Sequence, residues 1–198
     1  MVWFITVLLL TLTLVVYAQT NLPPLPSDTQ WSAETRITID APIETVWDVL
    51  LDWEKYAEWN PFVRGQTLAN QTLEALRTAG SALENQRLTL TVQIPPLPLP
   101  VDKNTPSNPF HSQISFENIT ALQPDQYRMA WRQLMFPDAI LSAERWSALS
   151  VVGTQTLYES REGYGGALAG ILKTLYLDGL QEAFEVQGVA LKSRVEGS

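Results

Sequence analysis

The 198-residue sequence predicts an α+β domain: a curved antiparallel sheet of about six to seven strands, two short helices and one long C-terminal helix. Three observations point there. Short alternating stretches recur between residues 32 and 161, separated by turn-forming Gln123-Pro124-Asp125 and Val152-Gly153, which favours antiparallel meanders over crossovers. Two short segments with helical apolar spacing follow the first strand. From Gly166 to about Arg194 an apolar stripe runs at helical spacing. A sheet and a helix that are each apolar on one side bury those sides economically by packing together.

Each element has its own signal. Residues 32–40, SAETRITID, alternate as a strand and end against Ala41-Pro42. Pro42 suits the first turn of a helix, with Glu44 near its positive end. Ile43, Val46, Trp47 and Leu50 then form one apolar face. A second short helix, Trp53 to Trp59, ends at Asn60-Pro61, and Phe62 to Leu68 reads as a strand. Residues 70–84 are mixed and receive no assignment. Leu88, Leu90, Val92 and Ile94 alternate with Thr89, Thr91 and Gln93, the cleanest strand in the chain. Six of the fifteen residues from Pro95 to Pro109 are proline, so an extended loop follows. Further strands are expected at 112–121, 126–134, 144–152 and 154–161. In the last helix Leu168, Leu172, Leu175, Gly179, Ala183, Val186 and Ala190 form the stripe, widened by Tyr176, Leu180, Phe184 and Leu191. Gly170, Gly179 and Gly188 each cost about 1 kcal/mol against alanine, which implies close packing.

Composition excludes several classes. No cysteine is present, so disulfides, thiolate zinc sites and cysteine nucleophiles are ruled out. His111, the one histidine, rules out paired-histidine metal motifs. A net charge of −8 argues against a nucleic-acid partner, which calls for a basic face. No metal-ligand spacing or glycine-rich phosphate loop occurs, so neither a metal nor a cofactor is expected.

The N-terminus reads separately from the domain. Residues 1–18 are apolar and end in Val16-Tyr17-Ala18, with small residues where a signal peptidase reads. A cleaved signal peptide is the first reading and an anchor by residues 2–18 the second; a buried helix is the third. The first two lead to the secretory route, as a secreted or a membrane-anchored protein, and the membrane is met only through that segment if it is uncleaved. Asn70 and Asn118 each head an N-x-Thr sequon, the signature of a glycoprotein. Residues 19–31 read as a proline-rich linker, 32–194 as the domain and 195–198 as a tail. A monomer is expected.

The run Ile39-Asp40-Ala41-Pro42-Ile43-Glu44-Thr45-Val46-Trp47, followed by Asp52-Trp53-Glu54-Lys55-Tyr56-Ala57-Glu58-Trp59-Asn60-Pro61, resembles the SRPBCC superfamily of START-like and birch-pollen-allergen-like helix-grip domains. Thr156, Glu162-Gly163-Tyr164-Gly165-Gly166 and Ala190-Leu191-Lys192 are similar to the family's approach to, and close of, the last helix. Within it, the chain looks closest to the polyketide cyclase/dehydrase-type and coenzyme-Q-binding-like groups. Where relatives often carry a histidine, Ala143-Glu144-Arg145-Trp146 offers Glu144. The resemblance implies an apolar cavity between sheet and last helix for a lipid, sterol, quinone or polyketide-like ligand.

Candidate residues follow from both sources. Trp47, Trp53 and Trp59 are expected to pack the small helices on the sheet. Tyr127, Met129, Trp131, Trp146 and Tyr158, with Leu172 and Tyr176 of the helix, are candidate ligand contacts, with plain core as the alternative for the strand tryptophans. Arg128 and Arg132 should face away from them. Glu162 is a candidate general base, or else a helix-start carboxylate or an arginine partner. The absence of a clustered acid–base set favours a carrier or sensor of an apolar small molecule over a polyketide cyclase or dehydratase using the same cavity. An interaction module is the remaining reading.

Overall fold

The computed structural model describes residues 19–70 and 84–197. Strands β1 (Trp31–Ile39), β2 (Val63–Ala69), β3 (Arg87–Gln93), β4 (Ser112–Gln123), β5 (Arg128–Gln133), β6 (Ser142–Val152) and β7 (Gln155–Gly165) form one antiparallel sheet in the order β1-β7-β6-β5-β4-β3-β2. Helices α1 (Ile43–Leu51) and α2 (Tyr56–Trp59), with a 3-10 turn at Trp53–Lys55 between them, connect the two edge strands. The 28-residue α3 (Ala169–Glu196) lies in the sheet's concave face, packed chiefly along β1. This is the helix-grip fold that the element order predicts.

The short helices bury the face that the sequence marks: Ile43, Val46, Trp47 and Leu50 are all in the core, as are Trp53 and Trp59. Their exit is fixed by Asn60, whose buried Oδ1 accepts the backbone N–H of Phe62 and of Val63, both at 2.9 Å. That turn aims Phe62 into the sheet's concave side, 5.8 Å from the ring of Phe184 on α3.

Two features tie down the other end. Trp31 stacks on Tyr164 with ring centroids 4.0 Å apart, and its indole N–H donates to the Ala169 carbonyl at 2.7 Å, pinning the start of α3 to the β1–β7 edge. Gly166 has φ +87°, and a Cβ there would lie 2.7 Å from the Asp138 carbonyl oxygen, so this connection requires glycine.

Four expectations need correction. The helical stripe is rotated: Ala169, Leu180, Ala183, Phe184, Gln187, Gly188, Leu191 and Val195 are buried, whereas Leu175 is 67% exposed. Strand β7 continues to Gly165 rather than stopping near 161, so Glu162 belongs to the sheet and not to a helix start. The proline-rich stretch after residue 19 does not hang free. Asn21 Nδ2 donates to the carbonyls of Gln126 and Leu149, Arg161 donates to the Pro23 carbonyl, and Leu25 lies against Gly163 on the outer face of β7. Of the helix glycines, Gly179 meets Ile94 and Pro95 and Gly188 meets Thr35 and Ile37, as close packing requires. Gly170 meets nothing within 4 Å.

The apolar segment at 1–18 and the unassigned stretch at 71–83 lie outside the described residues. Among the described residues no helix is long and apolar enough to cross a membrane.

Candidate functional site

Strand alternation sends Trp131 and Gln133 of β5, Ala143 and Arg145 of β6, Glu162 and Tyr164 of β7, and Ser115 and Glu117 of β4 toward α3. The N-terminal half of the helix crosses this surface with Leu172, Tyr176 and Leu180. A cavity of about 250 Å³ lies between them. Phe62, Leu90, Val92 and Leu141 complete an apolar wall, and Ile114, Met135 and Phe136 line it while remaining partly open to solvent, which marks the mouth.

Its polar groups are concentrated. Arg145, 3% exposed, donates from Nε to Ser160 Oγ at 3.1 Å and from Nη2 to Gln187 Oε1 of α3 at 3.0 Å. Its guanidinium lies 4.3 Å from the ring centroid of Phe184, with Phe62 at 5.4 Å and Trp131 at 5.7 Å. The aromatic faces stabilise a cation that has left water.

Two acids share the cavity with it. Glu117 accepts a short hydrogen bond from Ser115 Oγ. Burial, then repulsion by Glu162, pushes its carboxyl up to about 8, against the pull of Ser115 and Arg145. Burial also raises Glu162, opposed by Arg145 and by a hydrogen bond from Tyr164. The Tyr164 hydroxyl is in turn raised by burial and by Glu162. At neutral pH Glu117 is therefore mainly a protonated acid that can donate a hydrogen bond, while at Glu162 Arg145 and Tyr164 oppose the upward push of burial.

The sequence candidates divide. Trp131, Leu172 and Tyr176 line the cavity. Tyr127 does not: it sits outside β5 with φ 50°, edge-on to Trp47, and donates to Glu44. Met129 and Tyr158 are core, Tyr158 with its hydroxyl unpartnered among the described residues. Trp146 faces outward because its neighbour Arg145 faces in. It donates to Glu144 at 3.3 Å, and Arg128 lies 5.9 Å from its ring centroid. Glu144, the residue standing near the family's histidine position, is likewise on the outer face, bonded to Thr120.

Arg128 and Arg132 face outward as expected, Arg132 toward Asp138. Asn118 is half-buried in mid-β4 between Arg87 and Arg132, not in the loop setting a sequon suggests, while Asn70 directly follows β2. Sequence reasoning missed Arg145 and Glu117. The signal that finds them is register, since Arg145 stands opposite both Glu162 and Trp131.

Residues 30–98 match the family model described as polyketide cyclase / dehydrase and lipid transport. No curated protein matches the chain in sequence. Among solved structures, a START superfamily protein from Mycobacterium smegmatis is 19% identical with a TM-score of 0.54, covering 84% of this chain and 97% of that one. A protein from Thermus thermophilus is 15% identical with a TM-score of 0.58, covering 84% and 97%. The Zhui aromatase/cyclase from a Streptomyces species is 18% identical with a TM-score of 0.51, covering 84% and 93%. With a family signature over residues 30–98 and a sheet gripping a long terminal helix, the chain has the helix-grip fold of the START-like structures it resembles.

Proposed function

We propose that the chain binds a compact apolar small molecule in the cavity between β4–β7 and the N-terminal half of α3. The observation that carries this reading is the cavity itself: about 250 Å³, with a mostly apolar wall and a few convergent polar groups, as ligand sites have. Ordinary ligand sites span roughly 300–1,000 Å³, so a ring system or short chain fits better than a whole phospholipid. The N-terminal apolar run supports a secretory destination, with the domain secreted or anchored by residues 2–18 and Asn70 the better placed of the two sequons.

A second reading is favoured by Glu117, Glu162 and Tyr164, the acid–base cluster that the sequence did not reveal. In a cyclase, a carboxylate takes a proton from the carbon beside one ketone, that carbon bonds to the carbon of a second carbonyl, and an acid protonates the oxygen of that second carbonyl as its C=O π bond opens. The aromatase/cyclase likeness is compatible with that chemistry.

The binding reading is tested by titrating an environment-sensitive naphthalene fluorophore against the wild type and Leu172→Trp. Leu172 is half-exposed at the cavity wall, so the larger ring fills the cavity without emptying the core. Saturable binding lost in the variant, with thermal unfolding unchanged, supports the proposal. Unchanged binding in Leu172→Trp refutes this site.

A further inference from the structure

We propose that the outer face of β7 is a recognition site for an extended, proline-rich segment, which this chain fills with its own residues 20–25 and which takes the same segment from a second copy. The site lies on the opposite side of the sheet from the cavity and is independent of any ligand there.

The contacts keep step with the strand. Glu159, 4% exposed, accepts from the Asn21 N–H at 3.2 Å and from Thr20 Oγ1 at 3.1 Å. Arg161 donates to the Pro23 carbonyl. Leu25 lies over Gly163, where a Cβ would come within 2.8 Å of the leucine Cδ2. Residues 21, 23 and 25 thus match 159, 161 and 163 at a constant offset of 138 positions, the step of an extended chain running parallel to β7.

One row of side chains, alternating with the inward Ser160 and Glu162, therefore recognises the segment. It asks for an N–H at one position, a carbonyl two residues on and a bulky apolar side chain two further on. Neither residue 23 nor residue 24 is asked for an N–H, which suits prolines, since they have none. Trp146, paired with Arg161 in the β6–β7 register, borders Pro23, Pro24 and Pro26.

A second copy is the occupant because it offers the identical sequence. Segment and site are joined through a turn in which the Thr29 N–H donates to the Pro26 carbonyl at 3.1 Å, before β1 runs back along β7. Opening that turn releases the segment and leaves the strand pairing intact. Two copies that exchange segments close a two-fold pair with no site left empty. A segment seated about thirtyfold over unseated in cis, at an effective concentration of about 1 mM, corresponds to a Kd of roughly 0.03 mM in trans.

Anisotropy of a fluorescein-labelled peptide, Gln19–Ser27, titrated with full-chain variants, tests this. Asn21→Pro removes the N–H that Glu159 accepts and the amide that holds Gln126 and Leu149, so it empties the site without touching β7. That variant should bind the peptide with a Kd of roughly 0.03 mM, and the wild type, its site filled, at least about tenfold more weakly. Adding Arg161→Ala should weaken binding by about fivefold or more, and adding Gly163→Val should abolish it. No saturable binding to Asn21→Pro, or binding unchanged by Arg161→Ala, overturns the site. For the second copy, unlabelled Gly163→Val chain, its own site blocked and its segment free, should displace the peptide from the Asn21→Pro chain, whereas a chain carrying both changes should not. Should Gly163→Val fail to fold, as thermal unfolding would show, Arg161→Ala chain serves as the competitor. Peptide binding without displacement overturns the second copy as the occupant.

Discussion

Arg145 and Glu162 stand opposite each other in adjacent strands, yet the guanidinium directs its hydrogen bonds to Ser160 and to Gln187 of α3. One side chain therefore joins sheet, helix and cavity. Removing it leaves Gln187 unpaired and Glu162 without its cation. Arg145→Met should lower stability by about 3 kcal/mol, read from urea unfolding. Adding Glu162→Gln should recover part of the loss, because the stranded charge is then gone. Additive effects in this double-mutant cycle would mean that the two residues do not interact.

Glu117 predicts a pH dependence with a definite sign. Its carboxyl is raised from 4.5 to about 8, so the folded state keeps a proton that the unfolded chain has released. Its stabilising contribution is complete below about pH 4.5, declines as pH rises toward 8 and then levels off. Glu117→Gln removes this decline. The variant should lose less stability than the wild type between about pH 5 and about pH 9, with a difference of a few kcal/mol. Parallel pH profiles would show that Glu117 titrates normally.

The sheet and the small helices were legible because their apolar periods agree with their burial: Val46, Trp47 and Leu50 fall where the spacing puts them, as do Leu88, Leu90 and Val92. The site was less so. Its polar members come from β4, β6 and β7, and only pairing register brings Glu117, Arg145 and Glu162 into one cavity. Tyr127, Met129 and Trp131 looked like one alternating face, but the left-handed backbone at Tyr127 breaks that alternation before β5 begins. Trp146 misled for a different reason. Hydrophobicity suggested an inward residue, whereas its strand presents the charged Arg145 inward and leaves the tryptophan to the N-terminal segment and Arg128.

The rotation of α3 gives a direct check. Leu180 is buried against the sheet and Leu175, five residues earlier, is exposed, although a simple stripe includes both. Leu180→Ala should cost about 2–4 kcal/mol through the cavity it leaves, while Leu175→Ala should stay within about 0.5 kcal/mol. Gly188→Leu tests the same surface from the other direction. A Cβ there lies 2.8 Å from Thr35 Oγ1, so a good helix former should nevertheless destabilise by about 2 kcal/mol. Equal losses at 175 and 180 in thermal or urea unfolding would contradict this orientation.

The segment from Gln19 to Gln30 makes the final prediction because it separates stability from binding. Asn21 bridges the backbone carbonyls of Gln126, in the turn before β5, and Leu149 of β6, its N–H reaches Glu159 at 3.2 Å, and Pro23, Pro24 and Pro26 line the outer face beside Trp146 and Arg161. Proline limits the conformational freedom lost when this segment lies down, so its hydrogen bonds survive as net stabilisation. A chain beginning at Asp28 should be less stable than one beginning at Gln19 by about 2 kcal/mol, given roughly 1 kcal/mol per hydrogen bond less the ordering cost. Trp146 should become more accessible to a fluorescence quencher. The cavity is on the other side of the sheet, so affinity for a naphthalene probe should not change while the shorter chain remains folded. Reduced affinity at temperatures well below unfolding would show that the outer face and the cavity are coupled through Arg145 and Trp146, neighbours on β6 that point in opposite directions.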